Sequence, residues 1–267
     1  MASPVIELSP VDLAVAAALV LVAGVVSFSL RLGLERRLAI GAVRAVVQLL
    51  LVGVVLKFVF GLDSAAAVLG LLLFMAVAAS VAAVRRPARR YRGGLWRAFL
   101  TLSVTGLLTT FTVTGLIVGV EPWYRPQYVI PLLGMILGNG LTGVSLCLDQ
   151  LLETLDERRH EIEMELAHGA TRWEAARDAL RAAVRRGMIP VVNSMMVVGV
   201  VSLPGMMTGQ ILAGADPLGA VKYQIVVMFM LAAATALGCV FIALLTYRRL
   251  FNARHQLAIA LIREQQE

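Results

Sequence analysis

The chain has 267 residues, of which 59% are hydrophobic and 15% are charged, with a mean hydropathy of +0.83 and a formal net charge of +7. A water-soluble domain of this length cannot hide so much apolar surface, because roughly half of its residues must face water. The composition therefore excludes a soluble domain and indicates a polytopic membrane protein. Of the 24 basic residues only Lys57 and Lys222 are lysines, which leaves 22 arginines. Their placement follows membrane topology and not a nucleic-acid surface, so no nucleic-acid partner is expected.

Seven apolar runs are long enough to cross a bilayer, which takes about 20 residues of α-helix. In chain order they are 11–30, 38–60, 64–84, 98–120, 127–148, 190–212 and 218–247. The sequence therefore predicts an all-α polytopic membrane protein with about seven transmembrane helices. The whole chain, 1–267, is expected to form a single transmembrane permease domain that ends in a short cytoplasmic tail at 248–267.

The arginines predict the side of the membrane on which each terminus lies. Twenty of the 22 arginines fall in the connections after spans 1, 3 and 5 and in the tail, whereas the opposite connections contain only Arg125. Cytoplasmic connections carry an excess of arginine and lysine in membrane proteins. The N-terminus is therefore expected outside and the C-terminus in the cytoplasm, which requires an odd number of spans.

A polar segment at about 149–189 separates the fifth and sixth spans and is far longer than the usual connection. Its apolar positions recur at helical spacing on both sides of a break at 168–171. Gly169 can end one helix in the left-handed conformation, and Thr171 can cap the next. We expect a helix–turn–helix at the inner face of the membrane. It would be either an amphipathic hairpin on anionic lipid or a docking element for a cytoplasmic motor.

Several stretches carry a resemblance to one family. Residues 163–171, EMELAHGAT, resemble the first half of the coupling motif of ABC-transporter permeases, although the Leu-Pro of its second half is absent and the nearest proline is Pro190. Five stretches, in order along the chain, resemble the FetB-like ABC permeases, a family linked to iron export. They are RAVVQLLLVG from Arg44, GMILGN from Gly134, GVVSLPGMMTGQILAGADP from Gly199, AVKYQIVVMFMLAAATA from Ala220 and LTYRRLFNARHQL ending at Leu257.

The resemblance implies a permease subunit of an ATP-driven transporter, multi-pass in the bacterial inner membrane, with a role in metal homeostasis. It would pair with itself as a homodimer and with a separate cytoplasmic ABC ATPase, and would export iron or a related metal or solute. The coupling motif is associated mainly with importers, so the direction of transport stays open. The residues expected to couple to the ATPase are Glu163, Glu165, His168, Gly169, Ala170, Thr171 and Arg172.

The sequence gives independent support for a separate ATPase. A phosphate-binding P-loop needs Gly-Lys followed by Ser or Thr, and this chain contains no Gly-Lys pair. We therefore expect no enzyme activity and no cofactor in this chain, with ATP and Mg²⁺ bound by the partner. Membrane lipid is the other expected partner.

Polar or helix-breaking residues inside the apolar runs are candidates for a cargo path, because polar groups at membrane depth tend to face protein or water. Pro204 is expected to break or kink the sixth span, and breaks at depth are tolerated where they line a cavity. The methionines could touch a soft metal ion or simply pack between helices. No His or carboxylate lies mid-span, so no tight metal site is predicted and any metal ligand is unknown. The candidates are Arg44, Gln48, Asn139, Asn193, Pro204, Met206, Met207 and Gln210.

Three other functions compete with an ABC permease. A secondary transporter or channel would want mid-span carboxylates for ion coupling, and the runs contain none. A retinal-type sensor needs a lysine deep in the last span, whereas Lys222 lies near its outer end. A non-transporting scaffold would use the cytoplasmic hairpin to bind a partner without moving cargo.

Overall fold

The computed structural model describes residues 9–62, 64–252 and 254–264, without the side chains of Pro10, Leu62 and Glu264. Expectations about the first eight residues and the last three lie outside this range. The described residues form α1 (Pro10–Ser29), α2 (Glu35–Leu62), α3 (Ala65–Arg85), α4 (Gly94–Phe111), α5 (Pro126–Glu157), α6 (Arg159–Ala167), α7 (Arg172–Val197), α8 (Gly205–Leu212) and α9 (Pro217–Leu250). A π-helix, Thr112–Val118, continues α4, and a short antiparallel ladder pairs β1 (Arg89–Tyr91) with β2 (Ile262–Glu264).

Six helical segments in the described part of the chain are long and apolar enough to span a membrane. They correspond to predicted spans 1 to 5 and 7, with α4 and its π-helical extension forming the fourth. The predicted sixth span, 190–212, is not a single helix. An irregular segment at 198–204 separates the end of α7 from α8. The all-α membrane fold is confirmed, whereas the count of seven spans is not.

The break in the sixth run has local causes that the sequence contains. The helical path of α7 ends at Val198, which is extended at φ −64° and ψ 137°, and Gly199 follows in a left-handed conformation at φ +83°. The backbone N–H of Gly199 donates to Ser202 O at 2.9 Å instead of continuing the ladder of α7. Pro204 stands just before α8 and supplies no donor of its own. The break expected at Pro204 is therefore present, and it extends back to residue 198.

The boundary predicted at residue 190 is wrong as a helix boundary. The chain enters α7 at Arg172 and stays helical through Pro190 to Val197. At the other end of the polar segment, α5 continues past Asp149 to Glu157. Hydropathy reports the surroundings of a segment, whereas the hydrogen-bond ladder of a helix can cross from a polar to an apolar stretch without interruption. Residues 149–189 therefore extend two long helices and add only the short α6 between them.

The chain divides into two compact units, Met1–Ser64 with Gln210–Ala215 and Ala65–Gly209 with Asp216–Glu267. In the first unit α1 packs on α2, and Ser27 at the end of α1 joins them. Its hydroxyl donates to Glu35 Oε2 at 3.1 Å and accepts the backbone N–H of Leu34 at 3.0 Å. The expectation of a single permease domain stays a prediction.

The second unit is a helix bundle whose chain directions follow from contacts between small residues. Cys147 Sγ on α5 donates to Cys239 O on α9 at 3.5 Å, and one turn earlier on both helices Gly143 faces Thr235, so α5 and α9 run in the same direction. The antiparallel α7 crosses both at Gly187. An added Cβ there would lie 2.6 Å from Cys239 Sγ and 2.7 Å from Gly143 O. Glycine at 143 and 187 is what allows these backbones to approach.

One end of this bundle gathers the arginine-rich connections. The Tyr91 and Thr246 hydroxyls are 2.9 Å apart and join β1 to the end of α9. Arg89 Nε donates to Asp156 Oδ2 at 2.9 Å, which joins β1 to the end of α5. The start of α7 lies at the same end, because the Trp173 ring packs on Tyr247 with a centroid distance of 5.7 Å. We call this region the basic end of the second unit.

Candidate coupling site and cargo path

The turn between α6 and α7 is a tightly determined piece of backbone. At the end of α6 the N–H of Gly169 donates to Leu166 O at 3.1 Å and that of Ala170 to Glu165 O at 3.1 Å, the paired bonds of a Schellman motif. Gly169 has φ +95°, as the sequence predicted. The His168 ring bonds through Nδ1 to Met164 O at 2.8 Å, so Nδ1 carries the proton that it donates to this carbonyl. The turn is thus fixed before any partner binds.

The start of α7 is a capping box, which also confirms the predicted role of Thr171. The backbone N–H of Glu174 donates to Thr171 Oγ1 at 3.3 Å, and Glu174 Oε2 accepts the N–H of Thr171 at 2.7 Å. Hydrogen bonds from the hydroxyl and then the backbone N–H of Thr171 lower the pKa of the Glu174 carboxyl, because they favour its charged form. The carboxylate also lies at the positive end of the helix dipole.

The chain after α9 folds back and braces this turn, which the sequence did not predict. The backbone N–H of Arg172 donates to His255 Nδ1 at 3.0 Å, and Arg172 Nη1 donates to Asn252 O at 3.4 Å. The loop itself is held by Asn252, whose Oδ1 accepts the N–H groups of Arg254 and Gln256 at 2.9 and 3.0 Å. The backbone N–H of Arg172 has no acceptor within α7, because it lies in the first turn, and His255, 83 positions away, supplies one.

The seven predicted coupling residues lie together at this turn. Glu163, Glu165, His168, Gly169 and Thr171 are exposed, whereas Ala170 and Arg172 are half-buried. Beside them a groove of about 510 Å³ opens between α6 and the loop after α9, and its lining includes Glu163, His255 and Gln256. The turn is thus a preformed and accessible surface whose neighbouring groove carries a carboxylate, an imidazole and an amide.

The candidate cargo-path residues fall in both units. Arg44, Gln48 and Gln210 belong to the first unit, and Asn139, Asn193, Pro204, Met206 and Met207 to the second. Within the second unit, Asn139 donates from Nδ2 to Met135 O at 3.0 Å, one turn back on its own helix, and Asn193 is exposed.

The two neighbouring methionines of α8 have different surroundings. Met206 packs against a buried apolar cluster formed by α5, α7, α9 and the π-helix, whereas Met207 is 7% exposed and lines a cavity. The structure therefore separates these residues, and Met207 lines its cavity together with Pro204, another of the candidates.

That cavity lies at the break between α7 and α8 and has a volume of about 410 Å³. Its lining is mostly apolar and includes Met195, Met207 and Met228. Gln224 contributes the amide, and its Oε1 is buried without a hydrogen-bond partner among the described residues. The N–H of Gly199 donates to Ser202 O and that of Val200 donates to Val197 O, so neither makes the helical bond to the residue four positions earlier.

Sequence reasoning missed two features of this region. Gly134 and Gly138 form a GxxxG pair in α5 that predicts close helix packing, and a Cβ added at Gly134 would lie 3.2 Å from Met75 Cε. No atom lies within 4 Å of a Cβ added at Gly138, however, and the closest approach of helix backbones is at Gly143 and Gly187. Sequence reasoning also overlooked Gln224, although a glutamine within an apolar run is a visible signal. No cluster of three or more His, Cys, Asp or Glu that could bind a metal ion occurs among the described residues.

Comparison with known proteins places the chain in a family. The model of the uncharacterised protein family UPF0014 matches residues 10–251. This chain belongs to the UPF0014 family. Its match covers all six apolar helices and the α6–α7 turn. The predicted family resemblance is confirmed, and the chain is a multi-pass membrane protein.

Three relatives match this chain over most of their own length. "Probable iron export permease protein FetB" of Escherichia coli (strain K12) is 38% identical over 95% of this chain and 96% of the relative. "UPF0014 membrane protein slr1647" of Synechocystis sp. is 42% identical over 81% and 83%. "Protein ALUMINUM SENSITIVE 3" of Arabidopsis thaliana is 33% identical over 91% and 88%. No solved structure gives a significant match.

Proposed function

We propose that this UPF0014 protein is the membrane-spanning permease subunit of an ATP-driven exporter of iron or a related metal or solute. A separate cytoplasmic ABC ATPase would hydrolyse ATP, and two copies of the permease would form the translocation unit. The name of the E. coli relative supports iron as the cargo, and the name of the Arabidopsis relative points to metals more broadly. Neither kind of cargo requires enzyme activity of the permease chain itself.

The α6–α7 turn is the observation that carries the ATPase partnership. An element that only rests on lipid needs an amphipathic face, but it does not need a fixed backbone. Here a Schellman motif, a capping box and the His255 brace fix the same short turn. Such preorganisation lowers the ordering cost of binding, which favours a protein partner that grips the turn.

The directions of the helices in the second unit support seven membrane crossings. Since α5 and α9 run in the same direction, the chain must return across the membrane between Glu157 and Pro217. We assign this return to α7, the break and α8 together, as a broken sixth crossing. With seven crossings and the arginine-rich basic end in the cytoplasm, the N-terminus would lie outside.

The broken crossing is also the proposed cargo path. Irregular backbone at membrane depth is tolerated where it lines a cavity, and discontinuous helices form binding sites in many transporters. The cavity at the break combines thioethers with one buried amide. These are neutral ligands, which suit a cargo that binds weakly enough to leave.

The test is co-purification of this permease with a candidate ABC ATPase, followed by ATPase assays in liposomes with and without the permease. The proposal expects a stable complex and an ATPase rate that rises with permease concentration. A purified permease that moves iron without any ATPase would instead support a channel or secondary transporter. Binding without stimulation or transport would support a scaffold.

A further inference from the structure

A groove of about 570 Å³ on the second unit has no role in the proposed transport function. It runs between α7 and α9 at the basic end. Its floor is apolar and includes Val184, Val240 and Leu244, and its edge carries Arg177, Arg181 and Arg185. An apolar trough with a row of cations along one side is the shape of a site for a molecule with an anionic head and an apolar tail.

The three arginines form one row along α7, because each is four residues from the next. At ~1.5 Å per residue the row is about 12 Å long. All three are exposed. The ion pair recorded for this row among the described residues joins Arg181 to Asp178 at 3.8 Å, with side chains 55% and 80% exposed. Such an exposed pair is weak, so the positive charge of the row remains available.

The depth of the groove can be estimated from α9. Leu244 lies one helical turn before Arg248, and Val240 lies one turn before Leu244. Arg248 and Arg249 end the apolar run of α9, so the floor begins where the hydrocarbon begins. Trp173 at the start of α7 packs on Tyr247, next to Arg248, so the arginine row begins about one turn from this level at Arg177 and runs inward toward Gly187. Phosphate groups of a bilayer lie at this depth, with their acyl chains directed inward.

We propose that this groove binds one anionic phospholipid, with the phosphate on the arginine row and an acyl chain along Val240 and Leu244. A soluble acidic protein would satisfy the arginines but would leave the apolar floor uncovered. A second copy of this chain, placed symmetrically, would bring two arginine rows together, which like charges disfavour. The site does not depend on the ATPase, so it stands or falls separately from the proposed function.

The experiment measures lipid binding to the purified full-length chain in detergent by native mass spectrometry. The probes are phosphatidylglycerol, phosphatidylcholine and inorganic phosphate. We expect phosphatidylglycerol to bind tightest and inorganic phosphate at millimolar concentration not to displace it, because phosphate lacks the acyl chain. Equal binding of both lipids, or displacement by free phosphate, would overturn the proposal.

Two variants and one control locate the site. Neutralising the row should weaken phosphatidylglycerol binding about 100-fold, since each basic residue near a membrane surface contributes about a factor of five. The control removes the same charge from exposed arginines elsewhere and should change binding less than threefold. The row variant is R177Q/R181Q/R185Q, and the control is R36Q/R37Q/R92Q.

Leu244→Trp keeps every arginine and fills the floor, and it should reduce phosphatidylglycerol binding at least tenfold. It also decides the outcome if the row variant does not fold. Unchanged binding in Leu244→Trp, or an equal loss in the control, would show that the lipids bind to general surface charge and not to this groove.

Discussion

Replacing Gly169 tests whether the α6–α7 turn docks on an ATPase. An added Cβ would meet no atom within 4 Å, so Gly169→Ala introduces no clash and its cost is that of holding alanine at φ +95°. A left-handed L-residue costs about 1–2 kcal/mol, a factor of about 5 to 30 in the population of the docking conformation. Gly169→Ala should therefore raise the permease concentration for half-maximal ATPase stimulation by about that factor, and leave the maximal stimulation unchanged.

Gly169→Trp adds bulk to the same exposed turn and should abolish both stimulation and transport. Basal ATPase activity and membrane insertion should persist, because the residue lies outside the apolar helices. The matched control for Gly169→Ala is Gly119→Ala. Gly119 also has positive φ (+68°) and open space around its Cβ, but it follows the π-helix at the far end of α4. If Gly169→Trp binds and stimulates the ATPase normally, the docking account is wrong. If the hairpin only rests on lipid, Gly169→Trp should leave the ATPase response normal.

Four further results are expected. Reporters fused to the two termini should lie on opposite sides of the membrane, and a shared compartment would contradict seven crossings. Pro204→Ala should reduce transport while the ATPase complex still assembles, because it lets helix extend into the break; wild-type transport would remove the broken crossing from the path. Glu174→Gln should weaken the start of α7 at neutral pH. Because the folded-state pKa of Glu174 lies below its ordinary value of 4.5, this contribution is complete above about pH 4.5 and is lost as the pH falls through the folded-state pKa, so the two proteins should converge in acid. Gly187→Val should lower the stability of the detergent-solubilised protein by about 1–3 kcal/mol or more, whereas Gly138→Ala, with open space at its Cβ, should not.

Local chemistry explains which parts of the site could be predicted from the sequence. The turn at Gly169 and the cap at Thr171 depend on residues within five positions of each other, and both were predicted correctly. The break near Pro204 was also predicted, because proline removes a donor wherever it stands in a helix. The all-α membrane class followed from composition.

The features that were missed depend on residues far apart in the chain. The brace between His255 and Arg172 joins residues 83 positions apart, and no local pattern indicates it. The crossing at Gly143 and Gly187 needs the tertiary pairing of α5 with α7, whereas a GxxxG pattern reports only that a helix face is small. The apparent helix start at Pro190 arose because hydropathy changes there although the backbone does not.

The continuity of α7 has a mechanical consequence. Arg172 at the α6–α7 turn and Val197 at the break are the ends of one helix, and its backbone touches its neighbours most closely at Gly187. By residue count the two arms on either side of Gly187 are about 22 Å and 15 Å long. A rod pivoting at Gly187 would convert a displacement of about 3 Å at the turn into one of about 2 Å at the break, in the opposite direction. If an ATPase moves the turn as we propose, α7 would act as a lever that pivots at Gly187 and would open or close the cavity through the motion of its backbone.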